Sequence, residues 1–283
     1  ASRAHQQNII PVIDTALKDA KINKYQFSAI AYTIGPGLLG SLLVGSSFAK
    51  AMAYSLEIPI IEVDHLQAHV LANFLSKPGE KKKIPEFPFL CLTVSGGHTQ
   101  LLKVNDYFEM QYLGGTIDDA AGEAFDKAAK ILGLSYPGGP IIDKLAKEGN
   151  SKKFHFSIAN LPDYNFSFSG LKTSFLYFIR DNLKTNPNFI QENLADLAAS
   201  IQYAIIKSLT NKMAAVLKNY SCRDIVLAGG VSANSALREA MQLLAENEKR
   251  NLYLPSIDLT TDNAAMIAVC GYYKFIKGNF STL

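Results

Sequence analysis

The chain predicts an α/β protein of two duplicated lobes. Three observations carry that expectation. Short β-branched strands alternate with amphipathic helical runs, the element order of the first part returns at the end of the second, and 283 residues with 48% hydrophobic content suffice for two cores. In order, Ile9, Ile10, Val12, Ile13, Ala16 and Leu17 recur at helical spacing and predict a helix to about Lys21, with Pro11 as a kink or late start. Residues 28–34 read as a buried strand running into Gly35-Pro36-Gly37-Leu38-Leu39-Gly40, and a helix continues to Leu56. Residues 59–63 form a second strand, and an apolar helical run from Leu66 to Leu75 follows.

After a loop from Lys77 to Pro85, residues 89–94, 99–104 and 108–113 predict a three-strand meander. A helix over residues 118–132 comes next, and Pro137-Gly138-Gly139-Pro140 opens another. Ser169-Gly170 starts one more, and residues 192–220 form a long helical stretch. The remainder reads strand (225–228), helix (232–246), strand (252–254), helix (262–276). With a helical insertion at about 133–187 set aside, the second part is meander, helix, strand, helix, strand, helix, and its ending repeats the whole of the first part. The expected domains are residues 1–86, a first lobe lacking its initial three-strand meander, and residues 87–283, a second lobe whose last helix packs back toward the first. Such lobes are expected to bind ligands at strand ends between them.

Composition excludes several classes. No window approaches the roughly 20 apolar residues of a membrane span, and Ala1-Ser2-Arg3-Ala4-His5-Gln6-Gln7 is no secretory signal. Cys91, Cys222 and Cys270 are widely spaced, which suits reduced, inert thiols in a cytoplasm. A net charge of +3 does not announce a nucleic-acid binder, although Lys81-Lys82-Lys83 with Lys77 makes one basic cluster in an otherwise ordinary solvated loop.

The candidate chemistry begins at His65 and His69. Four residues is just over one helical turn, so both imidazoles leave one face and can aim at one ion. If the halves are duplicates, the matching helix of the second half carries Asp262 near its start, giving two histidines and a carboxylate for Zn²⁺ or Fe²⁺. A helix N-cap is the competing role for Asp262; the repeat favours the metal. Two strand-to-glycine turns, Val94-Ser95-Gly96-Gly97-His98-Thr99 and Ala228-Gly229-Gly230-Val231-Ser232-Ala233-Asn234, read as anion cradles for a nucleotide. Asp118 and Asp119 suit capping of the next helix, whereas Asp126 lies too far along it and is expected to hold a ribose hydroxyl pair. Leu66 stands where a zinc protease needs glutamate, and Thr93 where a hydrolase elbow needs glycine. An iron oxygenase fits the ligand set but leaves both glycine turns without a purpose.

Seven ordered motifs spanning nearly the whole chain then resemble one family. They are His65-Leu66-Gln67-Ala68-His69, Val94 to Leu101, Ile117 to Lys127, Tyr136 to Pro140, Phe166 to Thr173, Gly229 to Asn234 and Thr261 to Met266. The family is the bacterial tRNA N6-adenosine threonylcarbamoyltransferases, formerly labelled glycoproteases. The resemblance implies the duplicated actin/Hsp70/sugar-kinase-like fold. It also implies transfer of a threonylcarbamoyl group from threonylcarbamoyl-adenylate to N6 of the adenosine 3′ of the anticodon, in tRNAs reading codons that start with A. It assigns one divalent metal ion, Fe²⁺ or Zn²⁺, to His65, His69 and Asp262, and the adenylate to Thr93, Val94, Ser95, Gly96, Gly97, Asp126, Gly139, Asp143 and Asn234. It names as partners a related, degenerate lobe-pair subunit and a small P-loop ATPase. The alternatives are an ATP-dependent phosphotransferase of the same fold and a non-catalytic nucleotide-binding scaffold.

Overall fold

A computed structural model describes residues 2–76, 79 and 82–282. The chain divides into two compact units: Ala1–Gly79 with Asp262–Leu283, and Glu80–Thr261. The first division falls in the loop that also holds the expected boundary at residue 86. Residues 262–283, grouped by sequence order with the second lobe, pack in the first unit.

In the first unit, α1 (Ser2–Ala20) carries Pro11 inside it, and α2 (Leu39–Leu56) packs on β1 (Ile30–Gly35). β1 runs parallel to β2 (Ile60–Asp64), with Ile30 opposite Ile60 and Thr33 opposite Val63. Ile60, Ile61 and Val63 are almost wholly buried, as β-branched residues are when both sheet faces are covered. The predicted helix after β2 is shorter than the apolar run: α3 spans His65–Leu71 and tightens into a single 3₁₀ turn over Ala72–Phe74. The last helix, α9 (Ala264–Ile276), packs against α3 and both strands. The tail beyond it returns to the sheet, where Ser281 N–H donates to Ile60 O at 2.9 Å and covers part of the outer edge of β2.

The second unit is built on a five-stranded sheet of order β5-β4-β3-β6-β7. β3 (Phe89–Val94), β4 (Thr99–Val104) and β5 (Met110–Gly115) form the expected antiparallel meander, with the third strand two residues later than read. β6 (Asp224–Ala228) lies parallel between β3 and β7 (Asn251–Tyr253), and every residue of β3 and β6 is buried. The helices are α4 (Ala121–Ile131), α5 (Gly138–Ala146), α6 (Ser169–Leu183), α7 (Phe189–Asn219) and α8 (Ser235–Asn247). α7 is kinked at Asn193, where the backbone leaves helical geometry. Between α5 and α6 the expected helical insertion contains a long irregular stretch. Phe156, Phe166 and Phe168 from that stretch are buried in the core of this unit.

Candidate metal centre and nucleotide turns

In the first unit, Asp64 ends β2 and caps α3, accepting from the N–H groups of Leu66 and Gln67 at 2.9 Å each. The cap starts the helix at His65, so His69 follows one turn later on the same face. Their rings meet edge to face, with centroids 4.7 Å apart and planes at 86°. His69 is 2% exposed and His65 20%.

The third member comes from the start of α9. The N-cap there is Asn263, whose side chain accepts from Met266 N–H at 2.8 Å. Capping therefore does not use Asp262. Its Oδ1 lies 3.3 Å from His65 Nε2 and 3.2 Å from His69 Nε2. Hydrogen bonds from His65 and His69 hold the Asp262 carboxyl well below the ordinary carboxylate range, and the bond to Asp262 outweighs burial to raise His65.

This set fits a divalent ion. Ligand atoms bonded at about 2.0–2.1 Å to a tetrahedral centre lie roughly 3.4 Å apart, close to the two spacings just given. All three ligand atoms lie within 4.8 Å of one another. Two imidazoles and one carboxylate also leave coordination positions for another molecule.

In the second unit, both glycine turns leave the carboxyl ends of neighbouring parallel strands, since Thr93 of β3 pairs with Ala228 of β6. Gly229 has φ +86°, and a Cβ there would sit 2.4 Å from Val94 O, so only glycine lets the second turn lie against the end of β3. In the first turn, Ser95 N–H donates to His98 O at 2.7 Å and His98 N–H to Ser95 Oγ at 3.0 Å. The N–H groups of Gly96 and Gly97 have no backbone acceptor among the described residues, and both glycines are exposed. Thr93 and Val94 are fully buried, so the part of this turn open to a ligand is Ser95, Gly96 and Gly97. α4 begins directly on it: Gly122 N–H donates to Ser95 O at 3.2 Å, and a Cβ on Gly122 would lie 2.5 Å from that oxygen.

The carboxylates expected at the nucleotide have structural work of their own. Asp126 accepts from Gly138 N–H at 2.8 Å and so caps α5, whose preceding Pro137 offers no side-chain cap. Gly139 stands in the first turn of α5, one turn before Asp143. Asp143 accepts from Ser235 N–H and Oγ–H, at 3.1 and 2.9 Å, at the start of α8. Asn234 caps α8 by accepting from Leu237 N–H at 2.9 Å, and its Nδ2 donates to Gln202 Oε1 at 2.7 Å. Gln202 on α7 is 5% exposed and does not stand out in the sequence. The signal for it is an amide within the apolar run of residues 197–206.

Asp118 and Asp119 do not cap α4, whose N-cap is Ala120. Asp118 instead accepts from the Ser167 and Ser169 hydroxyls and from the Phe168 and Ser169 N–H groups, tying down the chain that leads into α6. Burial pushes Asp118 up, but those bonds outweigh it and hold it below the ordinary range. Asp119 pairs with Lys127 at 2.9 Å and Lys172 at 3.0 Å. The three cysteines are buried, and burial pushes Cys91 up to about 12, so it carries no thiolate at neutral pH. Of the basic run, Lys82 and Lys83 are described, whereas Lys77 and Lys81 lie outside the described residues.

With this geometry in place, the chain can be set beside known proteins. The family model of TsaD, tRNA N6-adenosine threonylcarbamoyltransferase, matches residues 1–269. A protein of that name from Phocaeicola vulgatus is 56% identical over 283 residues, covering 100% of this chain and 84% of its own length. One of the same name from Porphyromonas gingivalis is 56% identical over 280 residues, covering 99% and 82%. Among solved structures, full-length HypF in its phosphate- and nucleotide-bound form aligns with a TM-score of 0.63 at 14% identity, over 96% of this chain and 42% of that one. That likeness shows that the two share a fold, in the α/β class expected from the sequence. A family model spanning nearly the whole chain and relatives this similar lead to one conclusion: the chain belongs to the tRNA N6-adenosine threonylcarbamoyltransferase family.

Proposed function

We propose that the chain carries out its family's reaction, moving a threonylcarbamoyl group from threonylcarbamoyl-adenylate to N6 of the adenosine 3′ of the anticodon in tRNAs reading codons that start with A. Family membership makes it a transferase acting on tRNA. The observation that carries the site assignment is the convergence of His65, His69 and Asp262, with Asn263 taking the capping role.

In this reading the N–H groups of Gly96 and Gly97, which lack a backbone acceptor, bind phosphate oxygens of the adenylate, as backbone donors in glycine turns do. Asp126 and Asp143 hold the starts of α5 and α8 in place, and Asn234, fixed by Gln202, presents its remaining amide hydrogen to the nucleotide. A Zn²⁺ or Fe²⁺ ion on His65, His69 and Asp262 supplies Lewis-acid polarisation of the donor's threonyl end when bound. The adenosine amine forms a bond to the carbamoyl carbon, the bond from that carbon to the adenylate oxygen breaks, AMP leaves with the electron pair, and the N6 proton is released. The phosphotransferase and scaffold alternatives give the two histidines and Asp262 no role.

The expected lobe-pair subunit is supported by the outer face of the first unit. α1 buries no residue and exposes Ile10 and Val12, while the neighbouring α2 exposes Leu39 and Leu43. The P-loop ATPase partner is carried by the family resemblance. A tRNA substrate and buried free cysteines support a cytoplasmic location, and no helix among the described residues is long and apolar enough to cross a membrane.

Metal analysis of the wild type and His65→Ala, beside a tRNA modification assay, tests the reading. The variant is expected to lose bound metal and modification together. Undiminished metal or undiminished modification in the variant would overturn it.

A further inference from the structure

Lys82, Lys83, Arg223 and Arg250 come from three separate segments of the second unit and line one concave surface of about 850 Å³. It lies at the amino ends of the parallel strands: Asp224 and Asn251, the first residues of β6 and β7, line it, and Phe89 at the start of β3 pairs with Asp224. The glycine turns leave the opposite, carboxyl ends. Strands of five and six residues separate the two ends by roughly 17–20 Å at about 3.3 Å per residue.

The balance of charge on this surface is positive. Its two carboxylates are Glu86 and Asp224. Asp224 is 1% exposed and is occupied within the fold, accepting from Glu86 N–H and Asn251 Nδ2–H at 2.8 Å each. Arg250 is held in place by donating Nη1–H to Cys222 O at 2.6 Å. Lys83 and Arg223 are exposed and form no ion pair among the described residues. Lys83 and Arg223 are the exposed cations of this concave polar surface, Asp224 is satisfied within the fold and Glu86 is the one exposed carboxylate of the lining. The surface therefore suits a polyanion whose phosphates the two cations can neutralise.

We propose that this surface is a second tRNA contact, gripping phosphodiester groups of the substrate away from the reacting base. It rests on the proposed function and extends it from the reacting adenosine to the backbone. Because the contact is remote from the glycine turns, it sets affinity and leaves the chemical step alone.

The test is tRNA binding by the full chain, followed by fluorescence anisotropy from about 50 to 200 mM salt. It compares wild type, the pair Lys83→Gln with Arg223→Gln, and the charge-keeping pair Lys83→Arg with Arg223→Lys. The neutral pair is expected to weaken binding about tenfold at low salt and to flatten the log–log salt slope by about one for each phosphate that is no longer neutralised. KM for tRNA rises, kcat and melting temperature hold, and the charge-keeping pair behaves as wild type. A neutral pair that matches an active wild type in slope and KM overturns the surface contact alone. So does a fall in kcat at saturating tRNA, which would place the two residues in the chemistry. A wild type that neither binds nor modifies tRNA overturns the proposed function together with the contact.

Discussion

The two candidate sites are made in different ways. The first unit's site consists of three side chains aimed at one point, and the fold asks little of them in return. Asp64 and Asn263 do the capping, which leaves His65 and Asp262 spare. The second unit's site is made of backbone and of residues already employed as caps. Asp126 serves α5, Asp143 and Asn234 serve α8, and Gln202 of α7 fixes Asn234. Where structural and ligand roles are divided between neighbouring residues, substitution separates function from stability. Where one residue holds both roles, it does not.

The largest effect that could break this contrast is at Asp262. Asp262→Ala is expected to remove bound metal and reduce tRNA modification by more than about 100-fold, beyond the loss typical of an outer-shell partner, because a ligand itself is gone. Compared with wild type as metal-free proteins, its stability should stay within about 1 kcal/mol, since the side chain is 77% exposed and caps nothing. A large fall in melting temperature, measured by calorimetry, would show that the first site is structural as well.

Gln202→Leu should behave the other way. It strands the Asn234 amide in a buried setting, at a cost of about 1–3 kcal/mol. It should also raise KM for the nucleotide donor more than it lowers kcat. Gln202→Glu keeps the acceptor and should recover much of the KM. Denaturant unfolding and steady-state kinetics check both; a destabilised variant with unchanged KM would leave Gln202 a packing residue only.

The smallest effect sharpens the comparison through pH. Asp118 is held below the ordinary carboxylate range, so its contribution is fully present above the unfolded value of about 3.9 and fades as pH falls through the lower folded value. The stability difference between wild type and Asp118→Asn, about 1 kcal/mol or less for this exposed carboxylate, should therefore be flat at neutral pH and shrink below pH ~4. A difference that grew on acidification would remove Asp118 as the anchor of residues 167–169.

These contrasts also explain what the sequence disclosed. The convergence of His65, His69 and Asp262 was legible because one-turn spacing puts the two histidines on one face and the element order connected them to Asp262 across 193 residues. β2, β3 and β6 were legible because burial on both faces calls for short continuous apolar runs. The shared duties of Asp126 and Asp143 were not, since a carboxylate capping another helix looks the same in sequence as one awaiting a ribose. Nor was the Asn234–Gln202 pair, whose members lie 32 residues apart on different helices. Residues 147–168 lack a periodicity because their order comes from Asp118 and from phenylalanines filling the core.

The first unit is discontinuous: the whole of the second lies between its strands and its last helix. On a ribosome adding about 5–20 residues per second, Asp262 follows His69 by roughly 10–40 s. During that interval the nascent chain can complete the sheet of the second unit, but it holds only two of the three converging side chains. The three side chains of the first unit can therefore come together only after the whole of the second unit has been made.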